Sequence, residues 1–274
     1  MFRELLDEAG EKEVLCFSAC RTGIFYYIDL FKRIIPQTKV NIFAFDNDHN
    51  MISNACVYCT DSNIRVMQNV IHSICSQKKY SEDGTQILLT CSRFCHIIFL
   101  RDAAKFKSFF NIRRIFIGRE RVHFNSTDTE DDLYIKAKLI NINLIHTVIS
   151  MVAYVRGYSL GKTIDETKRL SYNVLGSTSE YIEYADIVLT ELGQAYIRPL
   201  EKQVKEPCCL NREVMYDFID WLMHPTNNEQ VLRGLDPNGS DFASKMDRHL
   251  PLLEEIENEK IKSLIREFRQ VVHV

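Results

Sequence analysis

The segment DDLYIKAKLININLIHTVISMVAYVRGYS, from Asp131 to Ser159, is long and apolar but carries polar residues in its middle, three of which we single out. These residues are Lys138, Asn143 and His146, and they stand among isoleucine, leucine and valine. The length and hydrophobicity favour a core helix, in which a polar group needs a hydrogen-bonding partner or a function. At ~100° per residue on an α-helix, Asn143 lies about 140° and His146 about 80° from Lys138, so the three fit on one side.

These three residue types suit the interconversion of an alcohol and a ketone. Burial lowers the pKa of a lysine, so Lys138 would accept the hydroxyl proton as a hydride leaves. Asn143 and His146 would donate hydrogen bonds to the oxygen as negative charge develops on it. This chemistry requires no metal ion. The alternative is a core helix with surface lysines and a satisfied core histidine.

Upstream of this segment, apolar runs and amphipathic patterns alternate, which predicts an α/β domain over residues 1–130. Its first part is a βαβ unit, with a strand within Glu13–Ala19, a helix after Gly23 and a strand that ends at Asp46. We then predict a strand over 54–59, a helix over 62–77, a loop over 78–85, a strand over 86–91, a helix over 96–110 and a strand or strand pair over 113–124. This alternation implies a Rossmann-like, mostly parallel sheet with helices on both faces.

The βαβ unit has the plan of a dinucleotide-binding fold. The fingerprint G-x-G-x-x-G falls on residues 18–23, where Gly23 is retained and Cys20 stands where a pyrophosphate approaches the backbone. Asp46 follows about twenty residues later, where a ribose-binding acid is expected. The carboxylate of Asp46 favours NAD as the cofactor, whereas Arg21 is compatible with the additional phosphate of NADP. The predicted cofactor ligands are Ser18, Ala19, Arg21, Gly23, Asp46 and Asp61. A βαβ unit without nucleotide, with Asp46 capping a turn and Arg21 solvated, is the alternative.

From Asp131 to Val274 the strand patterns stop, and amphipathic patterns broken by glycine and proline predict an all-helical domain. A net charge of -3 argues against a general affinity for nucleic acid or for an anionic membrane. No uninterrupted apolar run approaches the ~20 residues of a membrane span, and the N-terminus has no signal-peptide pattern. We therefore expect a cytoplasmic protein. The nine cysteines are predicted to be free thiols rather than disulfides or metal ligands.

The spacing K-x4-N-x2-H at the start of a helical domain resembles the polyol-specific long-chain dehydrogenases, which include mannitol dehydrogenase, mannitol-1-phosphate dehydrogenase and fructuronate reductase. The continuation HTVISMVAYVRGYSLGKTIDE, residues 146–166, is similar to the family's as well. The resemblance implies a metal-independent, NAD(P)-dependent oxidoreductase acting on a polyol or a sugar alcohol phosphate. It implies that Lys138 is the general acid/base, and that Asn143 and His146 polarise the substrate oxygen.

Further substrate ligands follow from the same comparison and from charge. Arg93 lies where the resemblance places a pair of residues that face the substrate, and Arg233 and Lys245 are candidates to hold a substrate phosphate. The segment between Asp46 and Asn54 is sharply shorter than in the family. The alternative function is therefore a non-catalytic relative that serves as a binding or assembly module.

Overall fold

A computed structural model describes residues 13–18, 23–45, 49–60, 62–72, 75–80, 87–91, 96–109, 122–158, 178–224, 227–239 and 242–272. The chain forms two compact units. The first comprises Met1–His72 and His96–Asp131, and the second comprises Ser73–Cys95 and Asp132–Val274.

The first unit is built on a five-stranded, mostly parallel sheet, which confirms the predicted α/β class. Seven strands are described: β1 Val14–Ser18, β2 Val40–Phe45, β3 Ile64–His72, β4 Cys75–Tyr80, β5 Ile87–Cys91, β6 His96–Phe99 and β7 Val122–Phe124. The order in the sheet is β1-β2-β3-β6-β7, and only the β3–β6 pair is antiparallel. Strands β4 and β5 form a separate antiparallel hairpin, which belongs to the second unit.

Helices α1 (Gly23–Ile34) and α2 (His49–Tyr58) cover one face of this sheet. The two-residue alternation of a strand turns Val40, Ile42 and Ala44 of β2 toward these helices. Both helices connect neighbouring parallel strands in the same direction along the sheet. Right-handed crossovers therefore place them on the same side.

The opposite face carries an aromatic core around Phe43 and Phe99, which are both fully buried. The short helix α3 (Arg101–Ala104) and the 3-10 turn Lys107–Phe109 follow β6 directly. Ala103 and Phe106 from this stretch pack against the aromatic core. The α/β sheet thus has helical segments against both faces.

Several predicted elements of this half are wrong. Residues 54–58 lie in helix α2 rather than in a strand, and residues 64–72 form strand β3 rather than a helix. Residues 78–80 extend strand β4 instead of forming a loop, and residues 96–99 are strand β6. Of the strand or strand pair predicted over 113–124, β7 is confirmed, and residues 113–121 lie outside the described part of the chain.

The C-terminal region is helical, as predicted. Its elements are α4 Asp128–Lys138, a first π segment Leu139–Leu144, α5 Ile145–Val155, α6 Thr178–Leu192, a second π segment Gly193–Ile197, α7 Arg198–Glu201, α8 Arg212–Met223, α9 Asn228–Arg233, α10 Phe242–Glu254 and α11 Glu259–Val272. The continuous helix Asp128–Val155 is long and apolar enough to cross a membrane by length and composition alone. However, 78% of its most apolar 18 residues is buried inside the protein, as in the core helix of a soluble protein.

Local signals define both ends of this long helix. At its start, the Glu130 N–H donates to Thr127 Oγ1 and the Thr127 N–H donates to the Glu130 carboxylate, which is a capping box. At its end, Gly157 adopts a φ of 84°. The Tyr158 N–H then reaches Ala153 O and the Gly157 N–H reaches Tyr154 O, which is the Schellman arrangement.

Candidate functional site

The helix that carries the three predicted catalytic residues is not a regular α-helix. The first π segment begins immediately after Lys138 and includes Asn143. In a π turn the N–H of residue i+5 bonds to the C=O of residue i, so residues five apart lie above one another. Lys138 and Asn143 are five apart. A π turn therefore aligns the two residues more closely than the 140° separation expected in a regular helix.

Lys138 is buried, with 7% of its surface exposed. Its neighbours Ala137 and Ile140 are buried as well. This burial disfavours the charged form and lowers the pKa of Lys138 to about 7. An amine with that pKa exchanges protons readily near neutral pH, which is the requirement for a general acid/base.

The single N–H of the neutral His146 ring donates to a backbone carbonyl. Its Nε2 lies 2.6 Å from Gln230 O, and a carbonyl only accepts hydrogen bonds, so Nε2 carries the proton. Burial lowers the pKa of His146 to about 4, and the charges of Lys245 and Lys138 add to that decrease. The ring is therefore neutral at pH 7, and in this arrangement it has no second N–H to polarise a substrate oxygen.

The bond from His146 is one of three between α5 and the end of α9. Ser150 Oγ lies 2.5 Å from Val231 O and 2.7 Å from His146 O, and Tyr154 Oη donates to Leu232 O over 3.4 Å. The three donors are spaced four residues apart and therefore share one face of α5. They satisfy carbonyls in the last turn of α9, where intrahelical partners run out. This face of α5 anchors α9.

A buried histidine of α10 bonds to α5 beside this face. His249 of α10 is 4% exposed, and its Nδ1 lies 2.8 Å from Thr147 Oγ1. Burial lowers the pKa of His249 to about 3, and the positive charges of Arg248 and Lys245 lower it further. Its Nε2 has no hydrogen-bond partner among the residues that the structure describes. The sequence pattern did not indicate this pair, because Thr147 and His249 are about a hundred residues apart.

The predicted cofactor ligands are described only in part. Ser18 is buried at the carboxyl end of β1, and Gly23 is the first residue of α1. The remaining predicted ligands lie outside the described residues: Ala19, Arg21, Asp46 and Asp61, together with the substrate candidate Arg93.

The strand order bears on this part of the site. Dinucleotide-binding sheets of order 3-2-1-4-5-6 bind their cofactor beside the first strand, where the order reverses. In the described part of the chain, β1 (Val14–Ser18) lies at the end of the order and pairs with β2 alone. The β1-β2-β3 half of the pattern is present, and the strand that would flank β1 on its other side is not among the described strands.

The two predicted phosphate ligands of the second unit lie close together. Lys245 Nζ of α10 donates to Arg233 O at the end of α9 over 3.3 Å. Lys245 also acts electrostatically on His146 and His249. The pair therefore lies near both histidines.

Comparison of the chain with models of protein families, with curated proteins and with solved structures gives no match.

Proposed function

We propose that this protein is a metal-independent, NAD(P)-dependent oxidoreductase that interconverts a polyol, or a sugar alcohol phosphate, and the corresponding keto sugar. The observation that carries the proposal is Lys138, an amine buried in an apolar helix with its pKa lowered to about 7. A neutral lysine accepts the hydroxyl proton as hydride passes to the nicotinamide, and it returns that proton in reduction.

Asn143 is the proposed donor to the substrate oxygen. Its side chain is partly exposed, and its amide makes no hydrogen bond to the described residues. The π turn supports this role, because it aligns residues five apart more closely than a regular helix does. The sequence prediction also gave this role to His146, but its only N–H donates to Gln230 O. His146 would have to break that bond to contribute.

The proposed cofactor site is the carboxyl end of β1 and the start of α1 in a Rossmann-like sheet. The supporting observations are the parallel β1-α1-β2 unit and the positions of Ser18 at the end of β1 and Gly23 at the start of α1. NAD is the proposed cofactor, because an acid at the end of β2 would bind a ribose hydroxyl and repel a 2′-phosphate. NADP is included in the test. Arg233 and Lys245 are the proposed ligands of a substrate phosphate.

The test is a turnover screen with purified protein. Polyols, hexose phosphates and pentose phosphates are supplied with NAD or NADP, and the reduced nicotinamide is followed by its absorbance. With an active substrate, Lys138→Met is expected to lower kcat by roughly 10²–10⁴, the usual contribution of a general acid/base. In the oxidation direction, the rate of the wild type should rise as pH passes through about 7, where Lys138 loses its proton.

Lys136→Met is the matched control. Lys136 lies two residues away, and its Nζ stands 5.9 Å from the ring centre of Tyr196. The control variant should keep wild-type turnover. An active substrate whose turnover is the same in wild type and Lys138→Met would refute the role of Lys138.

The second candidate function is a non-catalytic binding or assembly module. Two observations favour it: the end position of β1 among the described strands, and the use of His146 to anchor α9. Titration of NADH and NADPH by fluorescence separates the two functions. Saturable binding of NADH or NADPH supports the oxidoreductase, whereas binding of neither nucleotide supports the non-catalytic module.

A further inference from the structure

A cavity of about 310 Å³ lies within the helical unit, away from the face of α5 that anchors α9. Asn141 of the first π segment contributes to its wall, and so do Gly193 and Ile197 of the second π segment. Both described π segments thus border one cavity. π turns disturb the regular hydrogen bonding of a helix and are found frequently at functional sites. The volume is at the lower end of the range for small-molecule sites.

The wall contains a buried amide with an unsatisfied oxygen. Asn141 is 4% exposed, and its Nδ2 donates to Leu210 O, which defines the orientation of the amide. Its Oδ1 then has no hydrogen-bond partner among the described residues. A buried acceptor without a partner is destabilising, and this oxygen is itself buried rather than open to the cavity.

The rim of the cavity carries one positive and one negative group that are not engaged with each other. Arg198 and Glu201 both line the cavity and lie three residues apart on α7. Neither forms an ion pair with the residues that the structure describes. Arg212, the other cation of the lining, is already paired with Asp186 over 3.0 Å. Among the charged lining residues that the structure describes, Arg198 and Glu201 are therefore the two without an ion pair.

We infer that this cavity is a binding site for a small zwitterion of the α-amino-acid class. Its carboxylate would pair with the Arg198 guanidinium, which is suited to two parallel hydrogen bonds. Its ammonium group would be directed toward the Glu201 carboxylate, which accepts hydrogen bonds. Side chains at positions three apart on a helix are about 5–6 Å apart at Cβ, which suits the short separation of the two charges in an amino acid. The inference does not depend on the proposed oxidoreductase activity.

The test is titration calorimetry of the full chain with a panel of free α-amino acids. Propionate serves as the probe with a carboxylate only, propylamine as the probe with an amine only, and mannitol as the neutral probe. At least one amino acid is expected to bind saturably, with an affinity well above that of all three single-function probes. Equal binding of propionate and the best amino acid would overturn the zwitterion class, and no binding by any amino acid would overturn the site.

Substitutions at exposed Arg198 and half-buried Glu201 locate the site. Arg198→Gln and Glu201→Gln should each weaken binding of the best amino acid about tenfold or more, the loss expected for one charge-assisted hydrogen bond. Lys202→Gln and Glu206→Gln are the matched controls, because both residues are exposed and do not line the cavity. Binding that is equally strong in all four variants would place the amino acid elsewhere and overturn the assignment.

Discussion

The ring of His146 lies so close to Gly234 that a Cβ at residue 234 would come within 2.4 Å of His146 Cδ2 and 2.6 Å of Nε2. The same Cβ would come within 2.3 Å of Ser150 Oγ. The approach is close because His146 and Ser150 both bond to carbonyls at the end of α9, and Gly234 follows that end directly. The absence of a side chain at residue 234 is therefore what lets α9 rest on α5.

Gly234→Ala is expected to lower the free energy of unfolding by about 1–3 kcal/mol, the usual effect of overpacking a well-filled site. Urea unfolding followed by circular dichroism measures the change. Gly193→Ala is the matched control, since nothing lies within 4 Å of a Cβ built there and alanine is the better helix former. Equal stability of Gly234→Ala and wild type would contradict the close packing of α9 on α5.

Gly157→Ala should destabilise the protein by about 1–2 kcal/mol for a different reason, the left-handed backbone conformation. The φ of Gly157 is 84°, and a Cβ there would meet no atom within 4 Å, so crowding plays no part. Gly157→Asn is the informative comparison, because asparagine tolerates this conformation better than alanine. Midpoints of urea unfolding should rank Gly157 first, Asn second and Ala third; a reversed order of Asn and Ala would speak against the backbone explanation.

Lys138 should make the stability of the protein depend on pH above neutrality. The folded-state pKa is lowered to about 7 by burial, whereas an unfolded lysine titrates near its ordinary value of 10.5. Between these values the unfolded state binds the extra proton, so this residue raises the free energy of unfolding by roughly 1.4 kcal/mol per pH unit. Below pH 7 the amine is charged in both states, and its burial destabilises the folded protein in full.

The measurement compares wild type with Lys138→Met at several values between about pH 6 and about 9.5. The stability difference, wild type minus variant, should increase with pH, and below pH 7 the variant should be the more stable protein. Lys136→Met, which removes a lysine two residues away, is measured over the same range as the control. A constant difference for Lys138→Met would indicate that the lysine keeps its ordinary pKa.

His249 should make the protein sensitive to acid. Burial lowers its pKa to about 3 from an ordinary value of 6.5, so between these values the unfolded state binds the extra proton. The stabilising contribution is complete above pH 6.5 and is lost on acidification, at roughly 1.4 kcal/mol per pH unit. His249→Gln should reduce the loss of stability between pH 7 and about 4.5. His224→Gln, at an exposed histidine, is the control and should leave that loss as in wild type.

The first part of the sheet was predictable because its signals are local. The apolar run before Gly23, the amphipathic helix after it and the apolar run that follows appear as β1, α1 and β2. The next two elements were predicted with their types exchanged, because the predicted strand is helix α2 and the predicted helix is strand β3. The sequence of β3 explains the error. Both faces of this strand are covered, so its apolar residues do not alternate with polar ones. Ile64, Met67, Val70 and Ile71 therefore have the spacing of a helix face.

The sequence by itself predicted that Lys138 lies in an apolar helix, and the capping box and Gly157 at the ends of that helix are local features too. These features depend on side chains within a few residues of each other. The tertiary structure alone decided that His146 donates to Gln230, 84 residues away, and that Asn141 reaches Leu210, 69 residues away. A buried carbonyl accepts a donor from any segment that folding brings near it, and no local pattern specifies that donor. For this reason the burial of Lys138 was predictable from the sequence, whereas the hydrogen bond from His146 to Gln230 was not.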